Sequence, residues 1–122
     1  MGVLGVNHIA FRTVDPEALR DFYVALTGGE HLDGAHDPVR LGGTLLVFFH
    51  SEENAIGTDP DELAFDVDAH GFGEVLANAE RLGCLTRAPV EHTPWSKGFL
   101  VVDPDGRRLE FVHDDQSVYW AE

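Results

Sequence analysis

Two short stretches, Asn7-His8-Ile9-Ala10-Phe11 and Glu62-Leu63-Ala64-Phe65, decide how this chain is read. His-Ile-Ala-Phe aligns with Glu-Leu-Ala-Phe at an offset of 54 positions, and a helix pattern follows each. After the first, Asp15-Pro16-Glu17 supplies an N-cap, a proline suited to the first helical position and an acid beside the positive helix end. Leu19, Phe22, Tyr23 and Leu26 then recur along one face of a 3.6-residue period, and Gly28-Gly29 ends the helix. After the second, Phe72, Val75, Leu76, Ala79 and Leu82 draw the same stripe and Gly83 stops it. The stop glycines Gly28 and Gly83 lie 55 positions apart, nearly the same offset.

Beyond each helix the chain turns to short extended segments. They are expected at about Glu30 to Ala35, Val39 to Leu41 and Thr44 to Phe49, and again at about Thr86 to Glu91, Gly98 to Val102 and Arg108 to Val112. Asp103-Pro104-Asp105-Gly106 marks a tight hairpin turn. Each half therefore reads strand, helix, strand, strand, strand, and two such units make a duplication, not a solenoid. Period-two alternation sends Ile9 and Phe11 toward a covering helix and leaves His8, Ala10 and Arg12 on the opposite face. The same parity places Glu62, Ala64 and Asp66, then Arg108, Glu110 and Val112, on the face away from the helices.

Composition limits the partners. The chain has 122 residues, 22 acidic and 8 basic, for a formal charge of −14. A length near the ordinary domain range of roughly 100 to 150 residues and a hydrophobic fraction of 43% predict one folded domain, 1–122, with modules at about 5–57 and 60–115. So acidic a surface repels phosphate backbones and anionic lipid, which argues against nucleic acid and membrane partners. The longest apolar runs, such as Leu45 to Phe49, fall far short of the roughly 20 residues of a spanning helix. A single cysteine, Cys84, cannot form an internal disulfide, so a cytoplasmic location is expected and Cys84 reads as a small apolar residue after a helix.

The opening Asn7-His8-Ile9-Ala10-Phe11, the Asp15-Pro16-Glu17 start with Phe22-Tyr23, and the closing Gly98-Phe99, Asp103-Pro104-Asp105-Gly106 and Leu109-Glu110-Phe111 resemble the vicinal oxygen chelate superfamily. That superfamily includes glyoxalase I, extradiol dioxygenases, fosfomycin-inactivating enzymes and bleomycin-resistance proteins. The resemblance covers nearly the whole chain and implies an α+β fold of two tandem βαβββ modules, with curled mixed sheets around a concave cleft and a homodimer as the usual assembly. It also implies a divalent metal ion held by His8, Glu62 and Glu110. In the fosfomycin-type arrangement the first-strand ligand comes from one subunit and the other two from its partner. Two positions depart from the pattern: Glu62 stands where the fosfomycin and glyoxalase types usually have His, and Val47 stands where glyoxalase I has a ligand Glu. A four-ligand glyoxalase I site is therefore not expected.

One imidazole and two carboxylates suit a hard or borderline ion such as Mn²⁺, Fe²⁺, Zn²⁺ or Ni²⁺. Taken singly, His8 and Glu110 read equally well as surface residues, and Glu62 as the end of the acidic run through Asp59 and Asp61. Arg12 and Asp66, two places beyond His8 and Glu62, are candidate substrate contacts, as are Phe49 and Trp95. His92, Trp95 and Lys97 are expected in a loop of the second module. His50 and His113 have the opposite parity and read as structural, while His31, His36 and His70 carry no chemical signal. The leading expectation is a metal-dependent lyase, isomerase, transferase or ring-cleaving oxygenase acting on an oxygen-rich small molecule, with its catalytic residues unassigned. The alternative is a bleomycin-resistance-like protein that sequesters a cationic drug, and a third is a dimeric domain whose catalytic residues have drifted.

Overall fold

The computed structural model describes residues 2, 6–53 and 62–115, with the backbone but not the side chain of Glu62. The chain divides into two compact units between Ala55 and Ile56. In the first, the order is β1 (His8–Thr13), α1 (Pro16–Thr27), β2 (Glu30–His31), β3 (Val39–Leu41) and β4 (Thr44–His50). In the second it is β5 (Glu62–Asp66), α2 (Ala69–Leu82), β6 (Leu85–Thr93), β7 (Ser96–Val102) and β8 (Arg108–Asp114). The two sheets have the same topology, β1-β4-β3-β2 and β5-β8-β7-β6, each with one parallel pair and an antiparallel remainder. This is the α+β pair of βαβββ modules that the repeat predicts.

The helices begin and end for the same local reasons in both units. Asp15 caps α1 by accepting from the Ala18 N–H at 3.0 Å, with Pro16 in the first turn, and Asp68 caps α2 by accepting from the Gly71 N–H at 2.7 Å. At the other ends Gly28 and Gly83 adopt φ of 72° and 70°, left-handed geometry that costs an L side chain about 1 kcal/mol or more. The two stops matched from sequence are thus the same motif in space. In α2 the buried stripe is Phe72, Val75 and Ala79, and it ends there: Leu82, predicted as its last member, is 38% exposed.

Each helix covers an aromatic cluster built on a register pair. Phe11 opposes Phe48 across β1 and β4, and Tyr23 of α1 packs on both, with ring centroids 5.3 and 5.9 Å away. Phe65 opposes Phe111 across β5 and β8 with centroids 5.3 Å apart, and Phe111 in turn stacks on Phe99, which meets Phe72 edge-on. Leu19, Leu26, Val39 and Leu46 complete the first core, and Val75, Val101 and Leu109 the second. Burial of each such side chain contributes about 1.5 to 3 kcal/mol. Because both helices take one sheet face, the opposite face of each sheet is left for other use.

Two expected segments differ. The strand expected over Glu30 to Ala35 stops at His31; the chain turns at Asp33-Gly34, and the Leu32 N–H closes the loop onto the Pro38 carbonyl at 2.8 Å. The loop expected around His92 and Lys97 is instead a long hairpin: His92 lies in β6 and Lys97 in β7. Lys97 points to the helix side, its Nζ 4.6 Å from the centroid of the Phe72 ring. The turn Asp103-Pro104-Asp105-Gly106 forms as read, closed by the Gly106 N–H to the Asp103 carbonyl at 3.0 Å.

Candidate functional site

Side-chain parity sets the open faces. In β1, His8, Ala10 and Arg12 are exposed while Phe11 and Thr13 are buried, so the predicted alternation holds. Parallel pairing puts Leu45, Val47 and Phe49 of β4 beside them on the same face. In the second unit the register sets Ala64 beside Glu110 and Asp66 beside Val112, with Gly98 and Leu100 of β7 following on the same face. Glu110 therefore lies on the open face, opposite a small alanine, as Val47 does in the first unit opposite Ala10.

Glu110 is held on that face by two basic side chains. Its side chain is 15% exposed, and its Oε2 accepts from His92 Nε2 at 3.0 Å and lies 3.4 Å from Arg87 Nη2. Both partners reach over from β6, across the intervening β7. Gly98 is what lets them: a Cβ there would lie 2.9 Å from Glu110 Oε2 and 3.0 Å from His92 Nε2, closer than side chains tolerate. Reading the sequence missed Arg87 and gave His92 no partner. The cause is the irregular pairing of β6 with β7, whose register shifts at three places and defeats period-two parity.

In the first unit, His8 Nδ1 hydrogen-bonds the Asn7 side-chain oxygen at 2.8 Å. An amide oxygen only accepts, so Nδ1 is the donor in this contact. Further along the same face, the His36 ring stacks on Phe49 with centroids 3.9 Å apart. The backbone there is strained: His36 and Asp37 have φ of 64° and 49°, a region non-glycine residues rarely enter. Asp37 is anchored by Arg20 at 3.3 Å and His31 at 3.4 Å. Arg12 is the register partner of Phe49, so a guanidinium and a stacked aromatic pair are neighbours on one face.

The remaining candidates separate. Trp95 sits in the turn between β6 and β7, 47% exposed, its N–H donating to Thr93 Oγ1 and its carbonyl accepting from the Asp115 N–H. His113 is structural as read, Nδ1 on the Val67 carbonyl at 3.0 Å and Nε2 on Asp115 at 2.9 Å. Cys84 is half-buried with Sγ 3.7 Å from the Ala79 carbonyl, and burial pushes its thiol pKa up, which disfavours the reactive thiolate.

Whether a divalent ion suits these residues turns on the donor atoms left available. Among the described residues no three His, Cys, Asp or Glu side chains form a ready metal cluster, and the Glu62 side chain lies outside them. His8 and Glu110, however, are each dressed as ligands are. Metal-bound imidazoles use the second ring nitrogen to anchor the ring, and ligating carboxylates are themselves hydrogen-bonded. Asn7 contacts His8 at Nδ1, and both contacts to Glu110 fall on Oε2. The donor set fits.

Two helix-backed βαβββ modules, each with an uncovered sheet face, make up the duplicated fold. Residues 8–112 match the glyoxalase-like domain, and the chain belongs to that family, within the vicinal oxygen chelate superfamily. Solved structures agree. A glyoxalase/dioxygenase from Nostoc punctiforme is 25% identical with a TM-score of 0.75, covering 94% of both chains. The oxidase ChaP-H2 is 22% identical with a TM-score of 0.77, covering 93% of this chain and 94% of that one. A lactoylglutathione lyase from Agrobacterium tumefaciens is 18% identical with a TM-score of 0.70, covering 93% and 96%. No curated protein matches the chain.

Proposed function

We propose that the protein is a divalent-metal-dependent enzyme acting on an oxygen-rich or electrophilic small molecule. His8 of one copy of the chain, with Glu62 and Glu110 of a second, would hold the ion. The supporting observation is that His8 and Glu110 each lie on an open sheet face with one donor atom anchored by a neighbouring side chain. When bound, such an ion polarises a substrate oxygen or holds two neighbouring oxygens. The lyase, isomerase, transferase and oxygenase chemistries of the superfamily share that requirement, and the names of the structural neighbours span two of them, oxidase and lyase.

The chain's own residues supply binding and orientation. Arg12 offers a charge for an anionic or polar group, and the Phe49–His36 stack beside it offers a flat apolar surface. Asp66 lies on the open face of the second module and Trp95 at its hairpin turn, where either can contact substrate. Sequestration of a cationic drug is less well supported, because acids on the open faces already have basic neighbours: Glu30 meets Arg40 at 2.6 Å and Glu110 meets Arg87 at 3.4 Å.

Elemental analysis of protein purified without chelator tests the reading, with His8→Ala and Glu110→Gln as comparisons. The wild type should carry a stoichiometric divalent ion that both variants lose. A wild type without metal, or variants that retain it, contradicts the proposal. Titration with a basic aromatic drug followed by Trp95 fluorescence checks the alternative, which requires tight binding in chelator-treated protein.

A further inference from the structure

We infer that His36 is a specificity-determining residue: a strained turn holds its imidazole over Phe49 so that, together with Arg12, the open face of the first module selects flat anionic rings such as an aryl carboxylate. His36 and this substrate class are additions to the binding face proposed above, on which they rest.

Three observations within the first unit converge. The first is charge. On a chain of formal charge −14, the described residues that β1 to β4 set on this face include Arg12, Arg40 and His8 against one acid, Glu30. Glu30 is matched by Arg40 at 2.6 Å, so the balance of the face is positive even with histidine neutral. A patch of one sign concentrates ligands of the other. The second is shape. Arg12 is the register partner of Phe49, and the His36 ring stacks on Phe49 with planes 29° apart. His36 is exposed and Phe49 half-buried, so the imidazole is the outer ring of the stack. Two positions along the strands, about 6.6 Å away, the face falls to Ala10 beside Val47, short side chains that leave room next to the rings.

The third is the turn itself. Left-handed backbone at His36 and Asp37 persists only where the surroundings over-determine it, and here they do. The His36 carbonyl accepts from the Phe48 N–H at 3.0 Å, the Pro38 carbonyl from the Leu32 N–H at 2.8 Å, and the Asp37 carboxylate takes Arg20 and His31. His36 is no part of the core, so this anchorage serves the placement of an exposed ring. A flat ring gains by stacking on that imidazole, and a carboxylate gains by pairing with a guanidinium. A cationic ring would meet Arg12, and a saturated one would forgo the stack.

The test is a nuclear magnetic resonance titration of the full chain as purified, with benzoate as the probe and benzyl alcohol, benzylamine and cyclohexanecarboxylate as comparisons. Metal content is measured on the same sample and the fold by circular dichroism. Wild type should bind benzoate about tenfold tighter than benzyl alcohol, the gain of a hydrogen bond to a charged group, and benzylamine more weakly still. Its preference for benzoate over cyclohexanecarboxylate should be about 3- to 10-fold. His36→Asn keeps a residue that tolerates left-handed backbone but removes the ring, and should abolish the second preference while leaving the first. Phe49→Leu removes the other ring, should act in the same direction, and serves where His36→Asn does not fold. Arg12→Gln should bring benzoate down to the level of benzyl alcohol and leave the stacking intact. An unchanged preference for the flat ring in folded His36→Asn, or benzylamine binding as tightly as benzoate to wild type, overturns the inference. A wild type that carries metal but does not bind benzoate also overturns it and leaves the metal reading standing. A wild type that binds benzoate with these preferences but carries no metal does the reverse.

Discussion

Asp103 shows how much can rest on one side chain. Its carboxylate is fully buried and accepts from the N–H groups of Asp105 and Arg107, each at 2.9 Å, and from Arg107 Nη1 at 3.2 Å. Arg107, whose side chain is 9% exposed, also reaches Asp105 at 3.0 Å. Asp103→Ala removes the buried acceptor of the Asp105 and Arg107 N–H groups while Arg107 keeps Asp105, and should cost about 1 to 3 kcal/mol, read as a lower midpoint in urea unfolding. Asp103→Asn, which keeps an acceptor oxygen, should recover part of it; equal midpoints for wild type and Asp103→Ala would contradict the assignment. The turn was legible because Asp, Pro and Gly fix backbone geometry locally. Burial of Arg107 was not, because nothing in a charged residue's type announces that a carboxylate four positions earlier will enclose it.

At the scale of elements, the two helices are closed by matching devices, and their contributions can be compared. Asp15→Ala and Asp68→Ala each remove a side-chain acceptor from a helix N-terminus and should destabilise by about 1 kcal/mol. The measurement is thermal unfolding of the single variants and the double. Being in different units, the two losses should add; a double variant no worse than either single would contradict the duplication as an energetic fact. Caps, stop glycines and the alternation of β1, β5 and β8 were readable because each depends on neighbours within a few residues. β6 was not. It is an edge strand that contains Pro89 and shifts register against β7, so neither its length nor the inward course of Arg87 and His92 follows from alternation.

Across the whole chain, duplication explains the fold and only part of the site. It repeats Phe11 opposite Phe48 as Phe65 opposite Phe111, and Gly28 as Gly83, because cores and caps must be built twice. The open faces have diverged: Val47 beside Ala10 in the first module corresponds to Glu110 beside Ala64 in the second. The parity that brought His8 and Glu110 to those faces was visible in sequence. Their anchors, Asn7 for one and His92 with Arg87 for the other, emerged from the three-dimensional arrangement. The acidity of the chain is likewise no longer featureless, since one of its carboxylates, Glu110, is held by His92 and Arg87. The most direct measurement is anomalous diffraction at the manganese edge from crystals grown with Mn²⁺. The account predicts one strong peak bonded at roughly 2.0 to 2.3 Å to His8 Nε2 and Glu110 Oε1, with Glu62 completing the protein ligands. No peak at these residues, or a peak bonded to neither His8 nor Glu110, would contradict it.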